Sequence, residues 1–306
     1  MKRRDLAAVI LASVFGAACS GRVLDLGGAS SGSGSGSGSG SAPGSGSAPG
    51  SGPTATVVGG SGYFTVVSDS IAAGTQGGAY TASVVFTSDF LSPDAERTIG
   101  PCAVRSTYID PVDDNSGPVG APRPSMGHAT IKGGVLALDL APAASGMYPV
   151  QKGTTTAWSG GEVVTFAFGS PAPGMSNTSL KVPTYVTLVP GTSAFAANPR
   201  TLVRTNDVTV TWTSDAKPAA DERVMVDLRG GASGQNRVLC TFDAAAGTGT
   251  ISADALQALG SGAGTYSVTS AHALAFQVGD WHLTYLLAAH ARGEAGSFAA
   301  GNVTFE

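Results

Sequence analysis

The densest group of side chains able to bind a metal ion lies in the segment DPVDDN at 110–115. Carboxylate and amide oxygens are the ligands that Ca²⁺ prefers, and a tight loop can wrap them around the ion. The spacing lacks the alternation and the terminal glutamate of an EF-hand, so a solvated Asx-rich turn is the alternative. The calcium candidates are Asp110, Asp113, Asp114 and Asn115.

The same loop runs on to residue 125 and is long beside the short connections elsewhere in the chain. Long loops on rigid scaffolds carry binding more often than tight turns do. We therefore take Asp113, Asp114, Asn115 and Arg123 as binding-loop candidates. Trp158 joins them, because its Gly- and Ser-rich surroundings make it the tryptophan that we expect to be most exposed and able to stack on a sugar. Its counterpart in the second half, Phe276, indicates packing as the alternative.

The histidines are scattered and do not form a metal-binding pair. His282 and His290 lie in one run in which Trp281, Leu283 and alternate residues share the opposite face, which places the two imidazoles about 26 Å apart on a strand. His128 and His272 are isolated in the sequence. There is no His-x-x-x-His or Cys-x-x-Cys spacing, so we expect surface histidines and no metal or other cofactor.

Motifs for covalent or nucleotide chemistry are missing from the part of the sequence after the Gly/Ser tract. It contains no Gly-x-Ser-x-Gly, no phosphate loop and no dinucleotide fingerprint. Two carboxylates of a glycoside hydrolase would leave no such signature, because only the fold sets their spacing. We predict no catalytic residues and a chain that is not an enzyme.

Cys102 and Cys240 remain once Cys19 is assigned to the export signal described below. Strand alternation puts Cys102 on one face with Val104, and Cys240 on one face with Val238. If the two cysteines occupy matching places in two separate cores, they are too far apart to pair, and each is a small buried apolar residue. An interdomain disulfide is the alternative, because exported proteins seldom leave thiols unpaired.

The elements that must position these residues are short strands. Runs rich in Val, Thr and aromatic residues occur at 63–67, 79–86, 102–109, 163–168 and 208–212, separated by Gly, Pro, Asn and Asp. ATIK and VLAL around Gly133-Gly134 predict a hairpin, and Ser252 to Gly260 predict a capped helix of about two turns. The pattern is that of an all-β protein.

The two halves of the strand-rich region resemble each other. FTSD at 86–89 with ER at 96–97 matches WTSD at 212–215 with ER at 222–223, at identical spacing. Other matches, among them the two cysteines, follow in the same order. This pattern indicates a duplication, with domain 1 at 59–182 and domain 2 at 183–306.

Domain 2 also carries a family resemblance. VTVTW at 208–212 resembles the strand of a fibronectin type III module that carries the core tryptophan, and GTYSV at 264–268 resembles its tyrosine corner. The resemblance implies an immunoglobulin-like or fibronectin III-like β-sandwich, and the duplication extends this fold to domain 1. We therefore expect two such sandwiches.

The N-terminus has the pattern of an export signal. Lys2, Arg3 and Arg4 precede a short apolar run that ends at Gly-Ala-Ala-Cys19. It resembles a bacterial lipoprotein signal, with 1–18 removed and Cys19 lipidated; an ordinary secretory signal is the alternative. RRDL at 3–6 also resembles a twin-arginine signal, so the export route stays open. Ser20, by the habit of that family, implies the outer membrane.

Residues 19–58 are dominated by Gly, Ser, Ala and Pro and predict a disordered linker, since they cannot bury apolar surface. Such a chain averages roughly 30 Å end to end. Taken whole, the sequence resembles two-domain lipoproteins of high-GC Gram-negative bacteria, a resemblance that implies a fold and a location but no reaction. The predicted membrane contact is the lipid on Cys19.

Composition limits the partners. The formal net charge is −4 and charged residues make up 12%, so there is no basic stripe for nucleic acid. The leading hypothesis is a non-enzymatic envelope protein that presents two sandwich heads on a tether and binds a protein or a polysaccharide. A periplasm-facing structural or assembly accessory without a ligand is the alternative, followed by an envelope hydrolase.

Overall fold

The computed structural model describes residues 60–69, 80–87, 97–105, 127–143, 146, 148–168, 177–197, 201–230, 236–278, 281–294 and 297–306. The predicted signal, the predicted linker 19–58 with Cys19, and the loop residues Asp110, Asp113, Asp114, Asn115 and Arg123 lie outside these ranges. Predictions that concern them stay predictions.

The described chain is mostly β-structure in several sheets, as predicted. Its strands are β1 (Gly60–Ser68), β2 (Tyr80–Thr87), β3 (Arg97–Ile99), β4 (Cys102–Arg105), β5 (Ala129–Gly133), β6 (Leu136–Leu140), β7 (Gln151–Gly153), β8 (Val163–Phe168), β9 (Thr178–Lys181), β10 (Val186–Leu188), β11 (Thr201–Leu202), β12 (Val208–Ser214), β13 (Arg223–Gly230), β14 (Asn236–Asp243), β15 (Thr248–Ile251), β16 (Gly262–Val278), β17 (Trp281–His290) and β18 (Ala300–Phe305). A 3₁₀ turn (Ala244–Ala246) follows β14, and the short helix α1 (Ala253–Gln257) follows β15.

One sheet of 11 strands dominates the molecule, in the order β3-β4-β14-β13-β16-β17-β1-β2-β7, with β18 beside the start of β16 and β11 beside β18. Its pairs are antiparallel except β1 with β17 and β11 with β18. The two other sheets are smaller, with the orders β10-β12-β15 and β6-β5-β8-β9.

The smaller sheets enclose two cores against the large sheet. The C-terminal core contains Trp212, Val226 and Tyr266, and the N-terminal core contains Phe64, Phe166 and Tyr285. Along β16, the even-numbered Tyr266 and Val268 belong to the C-terminal core, and the even-numbered Phe276 and Val278 pack on the N-terminal core. Because side chains alternate along a strand, both cores lie on the same face of the large sheet.

The opposite face of the large sheet carries a third apolar group, the rear cluster. Its members come from β1, β13, β14, β16 and β17: Tyr63, Val67, Met225, Leu239, Ala271, Leu286 and Ala288. The odd-numbered Ala271 and Ala273 of β16 face this side. The alternation predicted for the run 281–290 is confirmed, with Trp281, Leu283, Tyr285 and Leu287 in the N-terminal core.

Two local predictions hold because turn chemistry decides them. β5 and β6 form the predicted hairpin, and both Gly133 (φ 137°) and Gly134 (φ 59°) adopt backbone angles that favour glycine. Ser252 caps α1 by accepting a hydrogen bond from the N–H of Ala255, and Gly260 ends the segment with φ 71°.

The large sheet crosses the predicted domain boundary between residues 182 and 183. β17, from the second half of the chain, pairs with β1 and contributes Tyr285 to the N-terminal core. In return, β3 and β4 extend the sheet beyond β14 and contribute Cys102 and Val104 to the C-terminal core. The two cores therefore exchange strands and share one sheet.

The preference for two separate, unpaired cysteines is wrong. Cys102 and Cys240 form a disulfide across β4 and β14, with their Cα atoms 3.9 Å apart. The N–H of Thr241 donates to the carbonyl of Pro101 at 3.0 Å, so the next pair along, the cysteines, is a non-hydrogen-bonded pair. Opposite side chains come closest at such pairs, which is why two buried cysteines meet there.

Candidate interaction edge

Trp158 is buried, with 1% of its surface exposed, so the expectation of an exposed, sugar-stacking ring is wrong. The turn that follows explains its inward direction. The carboxylate of Glu162 accepts hydrogen bonds from the N–H groups of Ser159 (2.8 Å) and Gly160 (2.6 Å). The hydroxyl of Tyr185 donates to the carbonyl of Trp158 at 2.6 Å. These bonds fix the backbone with the indole in the N-terminal core.

Partial burial alone would raise the pKa of Glu162, but the backbone hydrogen bonds from Ser159 and Gly160 bring it below its ordinary value. The carboxylate therefore stays charged and holds the turn at neutral pH.

The strand β16 has two edges with different neighbours. The carbonyl of Val268 accepts from the N–H of Ala291 at 2.9 Å, and the N–H of Val268 donates to the carbonyl of Ala299 at 2.8 Å. Even-numbered residues of β16 therefore direct their backbone polar groups towards β17 and β18, and odd-numbered residues direct theirs towards β13.

β13 does not reach the end of β16. It begins at Arg223, opposite Ala271, whereas β16 continues to Val278 and stays paired with β17 throughout. In the part of the chain that the structure describes, no strand pairs with residues 272–278 on the β13 side. We call this segment the open edge. The backbone N–H and C=O groups of Ala273 and Ala275 point out of the sheet there.

The open edge is apolar. Its sequence is HALAFQV, without proline and without Asp, Glu, Lys or Arg. Leu274 is 41% exposed, and Phe276 and Val278 are half-buried. Natural sheets protect their edges with charge, proline, bulges or a covering segment, because an unpaired edge templates another strand. The sequence of the open edge supplies no charge and no proline for that purpose.

An aromatic stack lies behind the open edge. Tyr285 of β17 stacks between Phe64, with ring centroids 4.6 Å apart, and Phe276, with centroids 5.6 Å apart. Burial raises the pKa of Tyr285 to about 12, so its hydroxyl stays neutral under physiological conditions. The stack fixes Phe276 and, through it, the strand that bears the open edge.

His272, the first residue of the open edge, is braced on both ring nitrogens. Nδ1 lies 2.8 Å from the carbonyl oxygen of Lys181, and Nε2 lies 2.7 Å from Oδ2 of Asp221. A carbonyl oxygen and a carboxylate oxygen are both acceptors, so each ring nitrogen of His272 lies within hydrogen-bond distance of an acceptor. Partial burial alone would raise the pKa of Asp221. The hydrogen bond and the charge interaction with His272 outweigh it, so this pKa lies below its ordinary value.

Two more histidines have acidic partners. His290 lies 2.9 Å from Asp69, and His128 lies 2.9 Å from Asp139. The pair at the end of β17 is mostly buried, whereas the pair on β5 and β6 is exposed. The expectation of scattered surface histidines is wrong for His272 and His290, whose side chains are mostly buried. Their partners are remote in sequence, and only the fold reveals them.

A buried ion group stiffens β13 and β14 on the rear face. The guanidinium of Arg237 donates to both carboxylate oxygens of Asp227, from Nε at 2.7 Å and from Nη2 at 3.1 Å, and Arg229 approaches at 3.3 Å. Asp227 is 3% exposed and Arg237 is 1% exposed. Burial alone would raise the pKa of Asp227. The positive charges of Arg237 and, to a lesser extent, Arg229 outweigh this effect and hold the pKa below its ordinary value.

Within the described residues, no three His, Cys, Asp or Glu side chains converge in a way that could hold a metal ion. In the same part of the chain, no helix is both long and apolar enough to cross a bilayer. The open edge combines an exposed apolar side chain with outward-pointing backbone groups, and sequence reasoning missed it. The run 273–278, which lacks charged residues, was the available sequence pattern. The sequence does not show that this run extends past the start of β13, so it could not identify the run as a sheet edge.

No protein-family model matches the chain, and no curated protein is significantly similar to it.

Proposed function

We propose that this chain is a lipid-anchored, non-enzymatic protein of the bacterial cell envelope that binds a macromolecular partner along the open edge. The observation that carries the proposal is an apolar, uncharged strand edge, 272–278, held by the aromatic stack and by the His272 brace. A sheet edge with these properties pairs readily with another extended chain.

The proposed recognition mode is strand addition. An incoming segment hydrogen-bonds to the backbone of Ala273 and Ala275, which gives affinity without a requirement for particular side chains. Leu274 and Phe276 lie on one face of the extended ladder and supply an apolar contact for alternate side chains of the partner. The binding element lies on a regular strand, so its geometry is set before the partner arrives.

We also propose that the head consists of two immunoglobulin-like or fibronectin III-like sandwiches. Support comes from the two cores, each enclosed between a smaller sheet and part of the large sheet. Trp212 is 3% exposed and Tyr266 is 2% exposed, in keeping with the core tryptophan and the corner tyrosine of the resemblance. The two proposed sandwiches share a sheet, so they act as one head.

The anchor in this proposal is lipid on Cys19, and the tether is the Gly/Ser-rich segment that follows it. The disulfide between Cys102 and Cys240 supports export, because stable disulfides belong to oxidising compartments. A tether of this composition stretches to about 100 Å and lets the head search for a partner away from the membrane.

The test combines orientation with binding. Intact cells carry the chain with an epitope tag at its C-terminus and are treated with a protease that cleaves the Gly/Ser-rich tether, while a periplasmic marker reports leakage. We expect the head to be shed from intact cells. Survival of the head until the outer membrane is broken would exclude a surface-binding role and favour the periplasmic accessory.

Binding is measured by immobilising the full chain, with Cys19→Ser to prevent lipidation, and counting retained cells. The proposal expects retention by wild type and by Val135→Lys, and loss with Leu274→Lys. Val135 is a matched control, because it is an equally apolar side chain, 57% exposed, at the β5–β6 turn. Equal retention by Leu274→Lys would contradict binding through the open edge.

A further inference from the structure

We infer that β1 is a mechanical clamp, through which the head withstands tension on its tether. This role goes beyond binding and rests on one part of the proposed function, the membrane anchor before β1. It follows from the position of β1 in the large sheet, from its direction and from the packing of its two faces.

β1 is the strand on which the tether pulls. The proposed tether ends at residue 58 and β1 begins at Gly60, so tension on the membrane anchor acts on the N-terminal end of this strand. Movement of a bound partner relative to the membrane stretches the tether. Forced unfolding is governed by the rate at which the loaded structure opens, so the attachment of β1 sets the load that the head can carry.

β1 lies inside the large sheet and not at its edge. On one side, β17 pairs with it from Gly60, opposite Trp281, to Ser68, opposite Ala289. On the other side, β2 pairs with it along almost the same length. The backbone hydrogen bonds run across from strand to strand. A pull along β1 therefore strains the bonds on both sides together, whereas a pull across the sheet breaks them one after another from one end.

Both faces of β1 are packed as well. Phe64 and Val66 lie in the N-terminal core, and Tyr63 and Val67 lie in the rear cluster. None of these four side chains is more than 7% exposed. A register shifted by one residue is closed to β1, because it would carry the side chains of the N-terminal core to the rear face. Side-chain packing therefore resists sliding together with the hydrogen bonds.

The direction of the pull follows from β16, the longest strand. Its ends, Gly262 and Val278, are about 53 Å apart. Trp281 lies opposite both Val278 and Gly60, so the tether joins the head at the Val278 end, and the C-terminal core lies towards the Gly262 end. A pull between them runs along β16. A twist of about 20–25° per neighbouring strand turns β1 by about 45° from β16, which leaves roughly two-thirds of the pull along β1.

A partner strand added at the open edge loads β1 in a similar direction. The added strand lies alongside β16, so a pull along its own chain follows the strands of the large sheet. The load passes from the partner through β16 and β17 to β1, and every step crosses a continuous ladder of backbone hydrogen bonds. Neighbouring strands of one sheet thus connect the membrane to the partner.

Single-molecule pulling in two directions tests the clamp. The chain from residue 19 is produced without lipid, so that the thiol of Cys19 carries one handle while Cys102 and Cys240 stay paired. The second handle is attached at one end of β16, through Ala263→Cys, or at the other end, through Val278→Cys. The first variant pulls along the strands, and the second pulls across them at the end where β1 begins.

At equal loading rate, we expect a rupture force about twofold or more higher with Ala263→Cys than with Val278→Cys, because the hydrogen bonds of β1 share the load only when the pull follows the strands. Equal rupture forces in the two directions would overturn the inference.

Two core substitutions show where the rupture begins. Val66→Ala in β1 and Val210→Ala in β12 shorten valines that are both at most 0% exposed, one in each core. Both lower the equilibrium stability by cavity formation, but only Val66→Ala weakens the loaded strand. With the handle at Ala263→Cys, the rupture force should fall with Val66→Ala and stay unchanged with Val210→Ala. Equal falls would place the rupture elsewhere and contradict the clamp.

Pulling needs neither lipid nor partner, so its outcome is separate from that of the proposed function. A higher force along the strands, in a head that retains no cells, would support the clamp while the proposed binding fails. Equal forces in both directions, in a head that does retain cells, would overturn the clamp and leave the proposed binding intact.

Discussion

At the scale of single residues, Asp227 and Arg237 form a buried ion pair in the described head. Two parallel hydrogen bonds join them, and both side chains are excluded from water. Such a pair adds little net stability relative to an apolar pair, but removal of one partner leaves a buried charge without compensation. The ion group therefore fixes how β13 and β14 align as much as it stabilises them.

We expect Asp227→Asn to lower the free energy of unfolding by roughly 3–5 kcal/mol, because it leaves the guanidinium of Arg237 without its carboxylate. Asp215→Asn is the matched control, since it breaks the exposed pair with Arg292 and should cost about 1 kcal/mol or less. Chemical denaturation at pH 7 measures both. A cost below about 1 kcal/mol for Asp227→Asn would show that the pair is not a structural requirement.

The same variant gives a pH signature. The pKa of Asp227 is lowered in the folded head, so its carboxylate contributes stability above the ordinary aspartate pKa, and this contribution is lost as the pH falls through the lowered value. The difference in unfolding free energy between wild type and Asp227→Asn should therefore be largest at neutral pH and shrink below about pH 4. A difference that does not change with pH would contradict this assignment.

Sequence reasoning succeeded at residues whose chemistry is local. Gly133, Ser252 and Gly260 were predicted because a turn or a cap is decided within a few residues. Trp158 was predicted wrongly because its direction depends on the hydroxyl of Tyr185, which is remote in sequence. The partners of His272 and of Asp227 also could not be predicted, because only the strand order brings these residues together.

At the scale of elements, strand alternation correctly placed Cys102 and Cys240 on buried faces, but it could not show that the two faces are the same one. The register of β4 against β14 is a long-range property, because the two cysteines have a sequence separation of 138. The hairpin of β3 and β4 joins the large sheet through β14, and the disulfide fastens this attachment.

We expect the double change Cys102→Ser and Cys240→Ser to lower the free energy of unfolding by roughly 2–5 kcal/mol, the range for loss of a native disulfide. Amide exchange should rise in β3 and β4, while β12 and β15, on the facing sheet, keep their protection. Uniform loss of protection would indicate that the disulfide holds the whole head and not one attachment. Unchanged exchange in β4 would contradict the account of the hairpin.

At the scale of the whole molecule, the strand exchange makes the two halves of the chain depend on each other. β1 pairs with β17 along its length, and β4 extends the sheet from β14. The sequence pattern predicted an all-β chain and many of its strands. It could not predict which strands pair across the midpoint, because hydrophobic alternation specifies a buried face but not the neighbour on either side.

We expect the segments 59–182 and 183–306, produced separately, to fail to fold, because each lacks a strand that completes its core. The full chain should unfold in one cooperative transition. Circular dichroism and proton NMR of the separate segments, alone and mixed, measure this. A dispersed spectrum and a cooperative melt from 183–306 alone would show that the shared sheet is not required.

The central claim is that a partner strand can pair with the edge of β16 at Ala273 and Ala275, and amide hydrogen exchange in dilute solution tests it most directly. The account predicts slow exchange at Leu274 and Phe276, which face β17, and fast exchange at Ala273 and Ala275, which face outward. Slow exchange at Ala275 in the dilute monomer would contradict the account, because it would mean that the edge is already covered.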